Sequence, residues 1–85
     1  MQLPTIHLNG DRPETLLTQY RNAYEKLGDA LKALQEVETN GRNFYPQGND
    51  AVTTAREEHN ARYLAVHAVQ KDMLELAQHC VQFVK

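Results

Sequence analysis

Apolar residues recur at alternating spacings of three and four positions in two long segments, which flank a short segment holding two glycines and a proline. Such spacing places the side chains on one stripe of an α-helix. The first stripe comprises Leu17, Tyr20, Tyr24, Leu27, Leu31 and Leu34, and the second comprises Val52, Ala55, His59, Arg62, Val66, Val69, Met73, Leu76, Cys80 and Phe83. Two such stripes predict an all-α fold, an antiparallel helical hairpin whose apolar faces pack together.

Turn and cap signals set the limits of the first elements. Residues 1–10 contain an early proline and a period-two alternation of apolar residues, which predicts an extended N-terminal arm. Helix 1 is predicted over residues 11–39. Asp11 with Glu14 three positions later has the pattern of a capping box at its start. Gly41 is expected to end it in a left-handed conformation.

A loop over residues 40–49 and helix 2 over residues 50–84 complete a single domain of residues 1–85. Asn49 or Asp50 is the expected N-cap of helix 2. Helix 2 is longer than helix 1, and its last turns are the most hydrophobic of the chain. Either the arm or a second subunit must cover those turns, because a two-helix core is thin. We therefore predict a homo-oligomer in which the hairpin self-associates into a helical bundle.

The charge and composition of the chain exclude some classes of binding partner. The chain has 85 residues, one cysteine and a formal net charge of −2. A negative net charge gives no general attraction to a polyanion, so duplex nucleic acid is not an expected partner. The first residues lack a secretory signal, and no segment has the apolar length of a membrane span. A cytoplasmic protein with no membrane partner is predicted.

Motifs for catalysis or metal binding are weak. Asp72, Glu75 and His79 share a helical face, but the Glu-x-x-His pairs of di-iron bundles do not occur. Cys80 lies on the apolar stripe, where a thiol stays protonated and inert. We therefore predict no enzyme activity, no metal and no cofactor.

A cluster of cationic and aromatic residues at the loop and the start of helix 2 is the candidate ligand site. Its members are Arg42, Tyr45, Arg56, His59, Arg62 and Tyr63. Guanidinium groups beside the positive end of a helix dipole favour an anion such as phosphate. The two tyrosines offer flat rings on which a nucleobase stacks, and the histidine offers a hydrogen bond. The pattern fits a nucleotide.

A structural interpretation of the same residues stays open. Phe44 and Tyr45 would close the open end of the hairpin, and Glu58 would neutralise Arg62 four residues later. His59 and Arg62 occupy positions of the stripe that should be apolar, so each needs a polar partner or exposure to solvent.

Three parts of the chain carry a resemblance to a known group of proteins. They are Pro4 to Gly10, the segment from Asn40 to Gly48, and Glu58-His59 with Arg62. The chain resembles small helical proteins of tailed bacteriophages and prophages, mostly of unassigned function. Small phage proteins often act by binding: they inhibit host enzymes, sequester nucleotide immune signals, or assemble into the virion.

The resulting functional prediction is a non-enzymatic, phage-encoded binding protein in the bacterial host cytoplasm. It would capture a small anionic ligand, such as a nucleotide or a cyclic nucleotide immune signal, as a counter-defence sponge. The alternative is a protein-interaction or structural module that uses the same loop, with Phe44, Tyr45 and Arg42 docking on a host or virion protein.

Overall fold

Two α-helices, α1 (Pro13–Glu36) and α2 (Ala51–Val81), form the hairpin. The computed structural model describes residues 1–48 and 50–85, so Asn49, one of the two predicted caps of helix 2, lies outside the described residues. Two short 3-10 turns, Gly41–Asn43 and Tyr45–Gln47, connect the helices. Within the described ranges there is no β-strand, which confirms the all-α class.

Polar contacts between the helices establish their direction. His59 Nε2 lies 2.8 Å from the carbonyl oxygen of Leu34, and Gln70 Nε2 donates to the carbonyl of Tyr24 at 3.4 Å. Positions that rise along α2 therefore meet positions that fall along α1. The helices are antiparallel, as predicted, in a rod of 61 × 21 × 17 Å.

The amino-terminal end of α1 differs from the prediction. The capping box at Asp11 is wrong, because Arg12 occupies the N-cap with extended backbone, φ −65° and ψ 147°, and Pro13 begins the helix. A residue that precedes proline is pushed out of the helical region by the ring, which explains why Arg12 stays extended. Proline itself suits the first helical position, since it has no amide hydrogen to leave unpaired.

The carboxyl-terminal end of α1 comes three residues early. Helix 1 was predicted to residue 39, whereas Val37 is already extended, with ψ 123°. The last turn carries no basic residue, so nothing there offsets the negative end of the helix dipole. Gly41 does not adopt the predicted left-handed conformation. Among the described residues, Gly48 is the one with a positive φ, 116°, and it lies just before α2.

Asp50, the second of the predicted caps, directly precedes α2, but its side chain makes no capping hydrogen bond to the described residues, and the helix ends at Val81 rather than at residue 84. Past that end the chain continues in tight turns. The amides of Phe83 and Val84 bond to carbonyls three residues back, at 3.1 and 3.2 Å.

Neither of the two described helices contains an apolar stretch of the length that a bilayer span requires.

The core is small. Of the residues that the structure describes, four are buried hydrophobics: Leu31, Leu76, Ala77 and Cys80. All six apolar residues of the first predicted stripe are at least half-buried, so that stripe is confirmed.

The second stripe is confirmed only in part. Arg62, Val69 and Phe83 are exposed, while the residues one position later, Tyr63, Gln70 and Val84, are half-buried. A strict seven-residue repeat drifts by about 20° per heptad around a straight helix. The contact stripe therefore shifts across α2, and Ala77 joins the core.

The residues before α1 contact the end of α2 without forming regular secondary structure. His79 donates its Nε2 proton to the carbonyl of Pro4 at 2.7 Å, because a carbonyl can only accept. Gln82 Nε2 lies 3.3 Å from Nδ1 of the same ring and donates to it. Leu8 does not cover the last turns of α2, since its side chain is 98% exposed.

Replacing Gly28 with alanine should stabilise the hairpin. Alanine favours the helix by about 1 kcal/mol over glycine. Its Cβ would lie 3.1 Å from Gln70 Nε2, so this amide must shift, which weakens its hydrogen bond to the Tyr24 carbonyl and offsets part of the gain. Urea unfolding should show a gain in unfolding free energy of roughly 1 kcal/mol or less for Gly28→Ala. The same change made in a Gln70→Ala background isolates the contact, and a loss of stability in that background would contradict the argument.

Cys80 should be unreactive in the native protein. Its side chain is 0% exposed, and desolvation by burial raises the pKa of the thiol above its ordinary value. Thiol reagents should label it only in denaturant. The unfolded chain loses the thiol proton first as the pH rises. Folding stability should therefore fall above the ordinary thiol pKa, and a Cys80→Ala variant should lack that alkaline decline.

Candidate functional site

A shallow groove of about 350 Å³ lies between the end of α1 and the first turns of α2. We call it the tip groove. Its lining residues are Gln35, Val37, Thr39, Arg56, His59, Asn60 and Tyr63. Three of the six predicted site residues, Arg56, His59 and Tyr63, therefore line a common concavity.

Arg56 is anchored to the chain just past α1. Its Nε donates to the carbonyl of Thr39 at 2.9 Å. This bond holds the guanidinium by one nitrogen, and within residues 1–48 and 50–85 the two terminal nitrogens have no hydrogen-bond partner. Those two nitrogens have the planar fork geometry that binds a carboxylate or phosphate with two parallel hydrogen bonds.

His59 is one of the two polar residues in the apolar stripe, and a hydrogen bond across the hairpin accounts for it. Its Nε2 carries a proton and donates to the carbonyl of Leu34 at 2.8 Å. Leu34 lies in the last turn of α1, and its carbonyl also accepts from the amide of Val37 at 3.2 Å, so His59 is a second donor to the same oxygen. His59 therefore caps α1 from the neighbouring helix, and a ligand could reach only its other ring nitrogen.

Tyr63 completes the lining about three turns into α2. Its hydroxyl oxygen accepts a hydrogen bond from Gln35 Nε2 at 3.2 Å. The ring is half-buried and lies nearly parallel to that of His67, with centroids 6.5 Å apart and 10° between the planes. The ring is thus fixed in orientation, as a stacking surface must be.

The other three predicted residues lie outside the tip groove. Arg62, 66% exposed, forms an ion pair of 3.6 Å with Glu58, which is the pairing that the structural interpretation expected. It follows Arg56 by six residues, about 120° around the helix. Arg42 Nε bonds to Asn40 Oδ1 at 3.3 Å within the loop. Tyr45 is 75% exposed.

The two adjacent aromatics of the loop have different roles. Phe44 is half-buried and lines a second groove against the first two turns of α2, together with Asp50 and Glu58. Phe44 therefore helps to close the hairpin, as the structural interpretation expected. Tyr45 remains available at the surface. The carboxylates beside Phe44 make this second groove unsuited to an anion.

Sequence reasoning missed Asn60, Gln35 and Thr39. Asn60 lies four residues after Arg56, on the same side of α2, and this spacing alone could have indicated it. Gln35 and Thr39 come from the other side of the hairpin, so finding them required the register between the helices. The tip groove thus combines one fixed guanidinium with neutral donors and acceptors.

The chain was also compared with known proteins. It matches no protein-family model, no curated protein and no solved structure. The resemblance to small phage proteins therefore stays a prediction, and the function must be argued from the geometry of the hairpin.

The two polar residues of the apolar stripe should differ in their contribution to stability. His59→Ala removes a part-buried hydrogen bond to the Leu34 carbonyl, which still accepts from the Val37 amide, so the loss of unfolding free energy should be about 0.5–1.5 kcal/mol. Arg62→Ala removes an exposed ion pair worth about 0.2–1 kcal/mol. Urea denaturation of both variants gives the comparison, and an equal loss for the two would refute the capping role of His59.

Proposed function

We propose that this protein is a non-enzymatic binding protein that captures a small anionic ligand of the nucleotide class in the tip groove. The observation that carries the proposal is the convergence of Arg56, Asn60 and Tyr63 in one concavity, with Arg56 already oriented by Thr39. A side chain that is fixed before binding loses less entropy when a ligand arrives.

Each lining residue has a distinct role. The terminal nitrogens of Arg56 bind phosphate oxygens, since charge-assisted bonds to a planar fork are both strong and directional. Asn60 supplies an amide at the edge of the site. Tyr63 offers its ring to a base, an interaction worth about 1–3 kcal/mol per base in proteins built for it. His59 serves mainly to hold α1 in place.

The biological setting of the proposal comes from the phage resemblance. A small phage protein in the bacterial cytoplasm that binds a nucleotide or cyclic nucleotide immune signal would lower the free concentration of that signal. Such a sponge needs no reaction, only affinity and abundance. A homo-oligomer would bring several copies of the tip groove into one assembly.

A second candidate function is docking on a host or virion protein through the loop. The observation that favours it is Tyr45, whose large ring is 75% exposed at the tip of the rod. Exposed tyrosines are frequent anchors in protein interfaces. Arg42, held in the same loop by Asn40, would flank that anchor.

Thermal-shift measurements with nucleoside phosphates, cyclic mononucleotides and cyclic dinucleotides should identify a stabilising ligand. A ligand at 100 times its dissociation constant adds about 2.7 kcal/mol to the stability of the folded state. Arg56→Ala should abolish the shift, because it removes the cation of the tip groove. Tyr63→Phe should weaken it more modestly, since only the hydroxyl is lost.

Arg62→Ala is the matched control, because it removes a guanidinium from the same helix outside the tip groove. It should leave the ligand-induced shift unchanged. A shift that survives Arg56→Ala but not Arg62→Ala would move the site to the other flank. No shift with any member of the panel would reject nucleotide capture and favour docking through Tyr45.

A further inference from the structure

We infer that a second copy of this chain packs on an apolar patch at the end of the hairpin far from the loop. The apolar patch consists of Leu17 on α1 and Leu74, Ala77 and Val81 on α2, which line a shallow groove of about 250 Å³. This inference goes beyond ligand capture, because it assigns the surface through which the hairpin self-associates.

The surface area of the single chain indicates that a partner is needed. One hairpin exposes 6532 Å², whereas a compact monomer of its 9.7 kDa mass exposes about 5,100 Å². The excess is roughly 1,400 Å², and a standard protein interface buries about 800 Å² on each partner. The surplus over the whole rod is therefore larger than the area that one partner of a standard interface buries.

The shape of the chain leads to the same conclusion. Its radius of gyration is 18.7 Å, against about 12 Å for a compact domain of this length. A long two-helix rod buries few side chains, and only four hydrophobic residues of the described chain are buried. Packing a second rod alongside the first adds a layer to the core without adding any length.

The apolar patch is the part of the surface best suited to that contact. Leu74 is 39% exposed and Val81 is 52% exposed, and they lie seven residues apart, so both occupy one stripe of α2. The flanking polar residues are Arg21 and Gln78. Their long side chains can pack their stems on the patch and keep their polar heads in water.

Other exposed apolar residues are less suitable. Phe83 packs edge-on against His79, with ring centroids 5.3 Å apart, and His79 in turn holds the amino-terminal segment through Pro4. His79 lies about 160° around α2 from Val81, so that segment leaves the apolar patch open. Leu64 is 56% exposed, but its neighbours three and four positions away on α2 are small or polar, so it has no second large apolar side chain beside it.

Analytical ultracentrifugation of the full chain tests the inference. The wild-type protein at high micromolar concentration should sediment at about twice its 9.7 kDa chain mass. Leu74→Glu should sediment as a single chain, since a carboxylate at the centre of an apolar contact would be buried without a partner. Val81→Lys is a second variant with the same expected loss, and circular dichroism verifies that both remain helical.

Leu64→Glu is the matched control, because it places the same charge on α2 outside the apolar patch. It should keep the wild-type mass. The melting temperature should rise with protein concentration for the wild type and for Leu64→Glu but not for Leu74→Glu, as mass action requires. A wild-type protein that sediments as one chain would overturn the inference. So would a folded Leu74→Glu or Val81→Lys that remains a dimer, or a Leu64→Glu that dissociates.

Discussion

Hydrogen bonds from α2 to backbone carbonyls of α1 and of the segment just after it fix how the two helices of this protein align. A hairpin with so small a core could slide by a turn at little cost in apolar contact, because hydrophobic burial has no direction. Hydrogen bonds do have direction. His59 to Leu34, Arg56 to Thr39 and Gln70 to Tyr24 select one register, and the tip groove exists only in that register.

Periodicity predicted the fold because it depends on short-range geometry. The spacing of apolar residues identified both helices and six residues of the contact face of α1, all of which are at least half-buried. The ends of the helices were less predictable, since several local signals compete there. At the start of α1 the preference of Pro13 for the first helical position outweighed the capping box. At its end Gly41 does not adopt the left-handed conformation, and the described glycine with a positive φ, Gly48, lies just before α2.

The candidate site was predictable only by half, for a physical reason. Arg56, His59 and Tyr63 lie on the side of α2 that faces the end of α1, whereas Arg62 lies about a third of a turn away. A repeat of three and four residues does not show which of these two sides of α2 faces α1, because a stripe with that exact repeat drifts around a straight helix over several turns. The register between the helices determines which arginine meets the neighbouring helix. The hydrogen-bond acceptors that set this register are backbone carbonyls, and every residue has one, so the sequence does not reveal which of them are used.

Arg56, His59 and Tyr63 each bond across the hairpin and also border the tip groove. A ligand that binds these side chains must therefore also affect the contact between α1 and α2. A ligand bound in the tip groove would stabilise the contact between the helices. Weakening that contact would in turn lower the affinity for the ligand. The two properties share the same residues, so a substitution at Arg56 or Tyr63 that removes the whole side chain changes both.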